Sequence, residues 1–246
     1  MKQDRRTAFV LAAGLGTRLK ELTNDKPKAL VSINNVPLLK VILESLIRNN
    51  FNHIVVNIHH FGEQIIEFFE KNNFPDVEIQ LSDERERLMD TGGAILQALP
   101  YFAQSEAVFV HNVDILTDVN LKYYYDEFRK SDDAAWLLTQ NRDSKRKLVF
   151  DNQDNFKGKY NLETKIFDGN SNLPPDCKML SFSGLHIFKP KFFSEFEKKP
   201  CYIFDLYYKI AENHKVTSKF IETEYWFDLG TGEQLKNAEK WLSSRR

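Results

Sequence analysis

Four side chains of this sequence have the chemistry to work together on phosphate: Arg18, Lys28, Asp114 and Asp228. Arg18 follows the stretch Ala8-Phe9-Val10-Leu11-Ala12-Ala13-Gly14-Leu15-Gly16-Thr17, an apolar run that breaks into a glycine loop. Gly14 and Gly16 carry no Cβ, so backbone N–H groups there can closely approach an anion rich in acceptor oxygens, such as a triphosphate. Arg18 adds a planar fork of donors, and Lys28, in Lys26-Pro27-Lys28-Ala29-Leu30, adds a mobile point charge. Asp114 comes just after the apolar residues 107–111, in Asn112-Val113-Asp114. A carboxylate beyond a buried strand end is well placed to hold Mg²⁺, which prefers oxygen ligands. Asp228 likewise follows an apolar stretch, Tyr225-Trp226-Phe227, and precedes a turn at Gly230.

The elements that must position these groups follow from periodicity. Residues 8–11 read as a strand buried on both faces. Residues 37–49 read as a helix with Leu39, Ile42, Leu43, Leu46 and Ile47 on one stripe. A strand at 53–58, a helix at 62–72 and a strand at 77–81 continue a β-α-β-α-β alternation. That alternation predicts a parallel sheet with right-handed crossovers and ligands beyond the carboxyl ends of its strands. Residues 107–111 form the central strand, and 121–130 a tyrosine-rich helix. Further strands are expected at 134–139, 147–150 and 182–188, turns or a hairpin at 151–175, and short helices at 192–196 and 204–213. Thr231 and Gln234 have capping-box spacing for a last helix carrying Leu235, Ala238 and Leu242. Strand ends of one polarity share an edge in a parallel sheet, so Asp114 and Asp228 are expected to converge.

Asp90-Thr91-Gly92-Gly93 opens a helix carrying Ile95, Leu96 and Leu99. Thr91 or Asp90 can cap it, and Gly92 and Gly93 leave room for a flat base. The charged residues 83–87 before it read as a solvated loop. His59 and His60 read as loop or packing residues, because no third ligand stands at a zinc-site spacing.

Taken in order, L-A-A-G-x-G-T-R, P-K-A-L, D-T-G-G, N-V-D with F-S-G, and W-F-D-L-G-T resemble the sugar-1-phosphate nucleotidyltransferases. These enzymes make nucleotide sugars from an NTP and a sugar 1-phosphate. The resemblance runs from about Ala8 to Thr231. It implies an α/β fold: a doubly wound, Rossmann-like, mostly parallel sheet with helices on both faces and a small sugar-binding subdomain. It further implies a single domain over residues 1–246, with a nucleotide-binding half at 1–118 and a sugar-phosphate half at 119–246. Nucleotide contacts then fall to Ala12, Ala13, Gly14, Gly16, Thr17, Arg18, Asp90, Gly92, Gly93 and Asn112. Acceptor contacts fall to Asn57, Ser183 and Gly184. Arg18, Lys28 and Asp114 are the implied catalytic residues, and Asp114 and Asp228 the implied Mg²⁺ ligands. The chain departs from the family pattern at Val113, where glycine is usual, and at Asp90, where Glu is more frequent. It also lacks the Glu-Lys-Pro element of the sugar half and the hexapeptide-repeat extension of bifunctional members. The motifs are most similar to N-acetylmuramate-1-phosphate uridylyltransferases, which points to UTP, with mannose-1-phosphate guanylyltransferase-like proteins using GTP as the alternative.

Composition narrows the field. The formal net charge of −1 and the lack of a long basic run argue against nucleic acid and anionic membranes as partners. No apolar segment reaches the roughly 18 residues of a membrane span, and no signal-peptide core follows the charged start. Cys177 and Cys201 are isolated, which fits a reduced cytoplasm. A dinucleotide-dependent oxidoreductase would need a third glycine where Leu19 stands, and the Walker pattern is absent. A non-catalytic nucleotide-sugar sensor on the same fold would have no need of the full set Arg18, Lys28, Asp114 and Asp228.

Overall fold

The structure, a computed structural model, describes residues 4–169 and 172–245; Met1–Gln3 of the charged start and residues 170 and 171 of the expected hairpin lie outside the described residues. The first strand, β1 (Thr7–Leu11), alternates as a strand buried on both faces must. Ala8 and Val10 enter one core and Phe9 the opposite one. Short β2 (Ser32–Ile33) and β3 (Val36–Pro37) form a hairpin before α1 (Leu38–Arg48). Then come β4 (His53–Ile58), α2 (Gly62–Lys71), β5 (Glu78–Asp83), α3 (Asp90–Ala98) and β6 (Val108–Asn112). β5, β4, β1 and β6 lie side by side and parallel, as the alternation requires. The sheet is wound on both faces. α1, α2 and α4 (Leu121–Lys130) cover the side of Ala8 and Val10; α3 and α5 (Ile203–Ala211) cover the side of Phe9.

Beyond β6 the sheet continues as a mixed one. β7 (Ile115–Thr117) precedes α4, and β8 (Ala135–Gln140), β9 (Arg146–Phe150), β10 (Phe156–Asn161) and β11 (Phe167–Gly169) follow it. Next are β12 (Lys178–Phe188), β13 (Val216–Phe220), β14 (Trp226–Asp228) and α6 (Gly232–Ser243). β12 runs antiparallel to β6 near one end and to β9 near the other, so it is longer than its apolar core at 182–188 suggests. Its register against β8 shifts between Phe182 and His186, and Gly184 sits in that shift with φ 81°. The expected helix at 192–196 is a single 3₁₀ turn, Pro190–Phe192. Phe193 just beyond it is fully buried against Phe188. Many of the abundant phenylalanines are core residues, Phe9, Phe102, Phe109, Phe128 and Phe150 among them.

A third, smaller core decides where the chemistry sits. Leu19, Leu116, Leu229 and Leu235 pack together beneath α6. Each of the first three lies close in sequence to a candidate active residue: Arg18, Asp114 and Asp228. Thr231 caps α6 by accepting the Gln234 N–H (3.3 Å), as its spacing predicts.

Buried histidines give this core an acid limit. His186 is enclosed beside the Tyr207 hydroxyl, and burial pushes its pKa down to about 3. The folded value lies below the unfolded one, so beneath pH ~6.5 the unfolded chain takes the proton first and stability falls. His53 is shifted the same way by burial. Thermal unfolding midpoints are expected to drop from pH 7 to pH 4.5, more gently in His186→Gln. One such proton contributes at most about 1.4 kcal/mol per pH unit. Identical slopes in the two proteins would contradict this origin.

Candidate active site

The glycine loop leaves β1 at the carboxyl edge of the parallel strands and lines a cleft of about 370 Å³ with Lys28, Asn57, Glu84, Asp90, Asn112 and Asp114. Gly14 borders open space. Gly16 has φ 66°, and a Cβ there would meet Thr23 Cγ2 at 2.9 Å and Lys28 Cβ at 3.1 Å, so the position requires glycine on both counts. Among the described residues, no hydrogen-bond acceptor within the protein takes the N–H groups of Gly14, Leu15 or Gly16, which leaves them for an anion.

Ala12 and Ala13 are different. Their N–H groups both donate to Asn57 Oδ1, at 2.6 and 3.1 Å. Asn57 Nδ2 in turn donates to Glu84 Oε1 at 2.9 Å. These two backbone donors are thus occupied within the protein, while Ala13 and Asn57 both still line the cleft. Asn57 is committed to shaping the loop from the neighbouring strand. Glu84 was hidden inside a run that reads as solvated. It is 3% exposed, accepts the Met89 N–H as well, and burial raises its pKa. Period-two alternation out of β5 carries the signal: Ser82 buried, Asp83 exposed, Glu84 buried.

The four charged residues meet at the mouth of the cleft. Lys28, nearly buried, pairs with Asp114 Oδ2. Arg18 lies between the two carboxylates, Nη2 3.9 Å from Asp114 and Nη1 3.7 Å from Asp228. A Cβ at Gly230 would collide with this guanidinium, and the Gly230 N–H donates to Asp228 Oδ1 at 2.8 Å. The convergence has a different cause from the one the sequence suggests. β14 is not part of the large sheet. It pairs antiparallel with β7, with Asp228 opposite Ile115, and the Leu229 N–H donates to the Asp114 carbonyl at 2.8 Å. Val113, in place of the usual glycine, has no left-handed backbone and is buried in the core, so the substitution leaves Asp114 in place.

This donor set suits Mg²⁺. The two carboxylates flank the Arg18 guanidinium, and Asp114 also pairs with Lys28, so a divalent cation taking the place of these counter-charges, with phosphate oxygens and water, could complete an all-oxygen shell there. Asp114 and Asp228 would hold it.

Other expectations are redistributed. Gly92 and Gly93 do not open space for a base. A Cβ would meet the Tyr202 carbonyl at 2.8 Å and the Lys199 carbonyl at 2.6 Å, and both N–H groups donate to the Cys201 carbonyl. Neither Asp90 nor Thr91 caps α3; Thr91 Oγ1 accepts from Ile203 N at 3.1 Å and anchors α5. Asp90 lines the cleft with φ 58°. Ser183 turns its hydroxyl into the sheet, onto the Leu138 carbonyl at 2.8 Å. At Gly184 a Cβ would meet Ile115 at 2.7 Å and Asn112 Nδ2 at 3.2 Å. The small residues of F-S-G thus let β12 pass close under Asn112, rather than opening a space by their size. His59 bonds the Glu84 carbonyl and His60 packs on Phe61, and no metal-holding cluster of three His, Cys, Asp or Glu occurs among the described residues. No helix among them is long and apolar enough to cross a membrane.

Replacing Asn57 by Leu would strand the Ala12 and Ala13 donors and one Glu84 oxygen. At about 1–3 kcal/mol for each of these three groups left unpaired, a loss on the order of 3–9 kcal/mol is expected by urea unfolding. A change within experimental error would show that these groups find other partners.

Comparison with known proteins shows the family. The family described as nucleotidyl transferase matches residues 7–245. An N-acetylmuramate alpha-1-phosphate uridylyltransferase of Caulobacter vibrioides is 39% identical over 116 residues, which is 46% of this chain and 48% of that protein. A D-glycero-alpha-D-manno-heptose 1-phosphate guanylyltransferase of Campylobacter jejuni is 28% identical over 92% of this chain and 95% of its own length. The crystal structure of HddC from Yersinia pseudotuberculosis complexed with GMP-PN shares the fold, with TM-score 0.77 at 21% identity over 96% of this chain and 99% of that one. The chain belongs to the nucleotidyl transferase family, as a sugar-1-phosphate nucleotidyltransferase.

Proposed function

We propose that the chain transfers a uridylyl group from UTP to N-acetylmuramate 1-phosphate and releases pyrophosphate. The observation that carries the chemistry is the meeting of Lys28, Arg18, Asp114 and Asp228 beside the open glycine loop. The N-acetylmuramate relative, at 39% identity over the stretch it shares, supports the choice of substrates.

The acceptor's phosphate oxygen attacks the α-phosphorus. It is already an anion, so no general base is needed, and the obstacles are alignment and charge repulsion. The free N–H groups of residues 14–16 cradle the triphosphate. Lys28 sits low in the cleft, where it reaches the α-phosphate and the incoming phosphate together. Arg18, 59% exposed, can swing outward with the leaving pyrophosphate. Mg²⁺ held by Asp114 and Asp228 would supply positive charge to the α-phosphate oxygens. Asn112 borders the same cleft from the end of β6. The residues of 1–118 hold the nucleotide and those of 119–246 the sugar, within one domain that works in the cytoplasm.

A guanylyltransferase reading is favoured by the heptose 1-phosphate relative, matched along nearly the whole chain. Thermal-shift titration separates the two, because a ligand specific to the native state raises the melting temperature. UTP is expected to stabilise more than GTP or ATP, and NAD not at all. A larger shift with GTP would move the assignment to the guanylyl class.

For the chemistry, Lys28→Ala and Arg18→Ala are each expected to lower pyrophosphate release at least ~100-fold, the scale for losing one charge-stabilising group. Circular dichroism should stay native. Near-normal turnover in either folded variant would remove that residue from the mechanism.

A further inference from the structure

One cation near the site has no part in the chemistry above. Arg142 follows β8 and lies half-buried between β12 and β14. Its guanidinium stacks 4.3 Å from the centre of the Trp226 ring. Nη2 donates to the Phe182 carbonyl at 3.0 Å, while Nε is buried with no hydrogen-bond partner. Lys147 lies alongside, its ammonium donating to the Arg142 carbonyl at 2.7 Å and to Ser181 Oγ at 2.9 Å. Among the described residues, neither Arg142 nor Lys147 has a carboxylate within ion-pair distance.

This contrasts with the reaction centre, where Lys28 and Arg18 are balanced by two carboxylates. A guanidinium held without a counter-ion and with an unmet buried donor is an incomplete arrangement. Its setting also places it beside a candidate metal ligand. Trp226 stands two residues before Asp228 and fixes itself to β12 by donating to the Ser183 carbonyl at 2.9 Å. Asp228 is near enough to favour the charged form of Arg142, against the opposing effect of burial. Arg142 therefore lies near Asp228, stacked on a residue of the same short strand, β14.

We propose that Arg142, with the positive field of Lys147, is the residue that selects an acidic sugar, by pairing with a carboxylate carried on the acceptor apart from its reacting phosphate. This rests on the acceptor reading given above. N-acetylmuramate carries such a group, a lactyl ether carboxylate; N-acetylglucosamine has the same ring without it. A planar guanidinium is suited to a carboxylate, which it can bind with paired hydrogen bonds. A reacting phosphate is the other anion the acceptor brings, and it is common to both sugars.

The test compares kcat/KM with UTP on N-acetylmuramate 1-phosphate and on N-acetylglucosamine 1-phosphate. The wild-type chain should prefer the acidic acceptor. In Arg142→Gln, which removes the charge and keeps a polar amide, the ratio of the two values should fall about 10- to 100-fold, the scale for losing a charged hydrogen-bond pair. Arg142→Lys, which keeps the charge and loses the fork, should recover part of the ratio. If both acceptors lose equally in Arg142→Gln, the guanidinium serves the common phosphate or Asp228, and the selective role is overturned. A preference that survives the substitution overturns it as well, with the acceptor reading left standing. A wild-type chain that favours the neutral sugar overturns the acceptor reading and the role of Arg142 together.

Discussion

Two carboxylates brought to one point repel each other, and the fold must supply positive charge there or force one of them to take up a proton. Asp114 and Asp228 flank one guanidinium, that of Arg18, and Asp114 pairs with Lys28 as well. Much of the surrounding structure exists to keep these four charges together. The β7–β14 ribbon sets Asp228 beside Asp114, and the Leu229 N–H ties the two strand ends. The small core beneath α6 then fastens the loop bearing Arg18 to both. An arrangement of this kind adds little to stability, because desolvating charges offsets most of their attraction. Its value lies in function: the same charges are ready to exchange partners when phosphates enter.

The glycine loop depends on a second, quieter constraint. Its first two N–H groups are held by Asn57, and Asn57 is held by buried Glu84. β4 and β5 thereby fix the entry of the loop, and the next three donors are left open to solvent. The carbonyl of Cys201 does the corresponding work at the start of α3, where it takes the N–H groups of Gly92 and Gly93. The segment at 199–203 and α5 are thus docked on the start of α3 by backbone contacts that only glycine permits.

The first half of the chain was legible because its physics is local. Apolar runs such as 53–58 and stripes such as Leu39, Ile42, Leu43 and Leu46 reproduce β4 and α1 almost to the residue. Asp114 and Lys28 were readable from their places at strand and loop ends. The other half was harder because its partners are distant. Nothing in residues 226–228 says that they pair with β7 rather than with the main sheet, since that choice lies in tertiary packing. The glycines of D-T-G-G and the small residues of F-S-G invite a ligand on sequence grounds, yet each is small to admit a neighbouring backbone or side chain. Glu84 and Arg142 lay unmarked in charged stretches, where burial is visible only through strand alternation or in three dimensions.

The central claim is that Asp114 and Asp228 form one divalent-cation site, assembled by the β7–β14 pairing. It is tested most directly by titrating Mg²⁺ in pyrophosphate-release assays of Asp114→Asn, Asp228→Asn and the double variant. Each single change should raise the Mg²⁺ requirement and lower turnover. The double variant should be scarcely worse than the more damaging single one, because residues that act as a unit are strongly non-additive. An Asp228→Asn enzyme with wild-type turnover and wild-type Mg²⁺ dependence would reduce Asp228 to a partner of Gly230 and contradict the account.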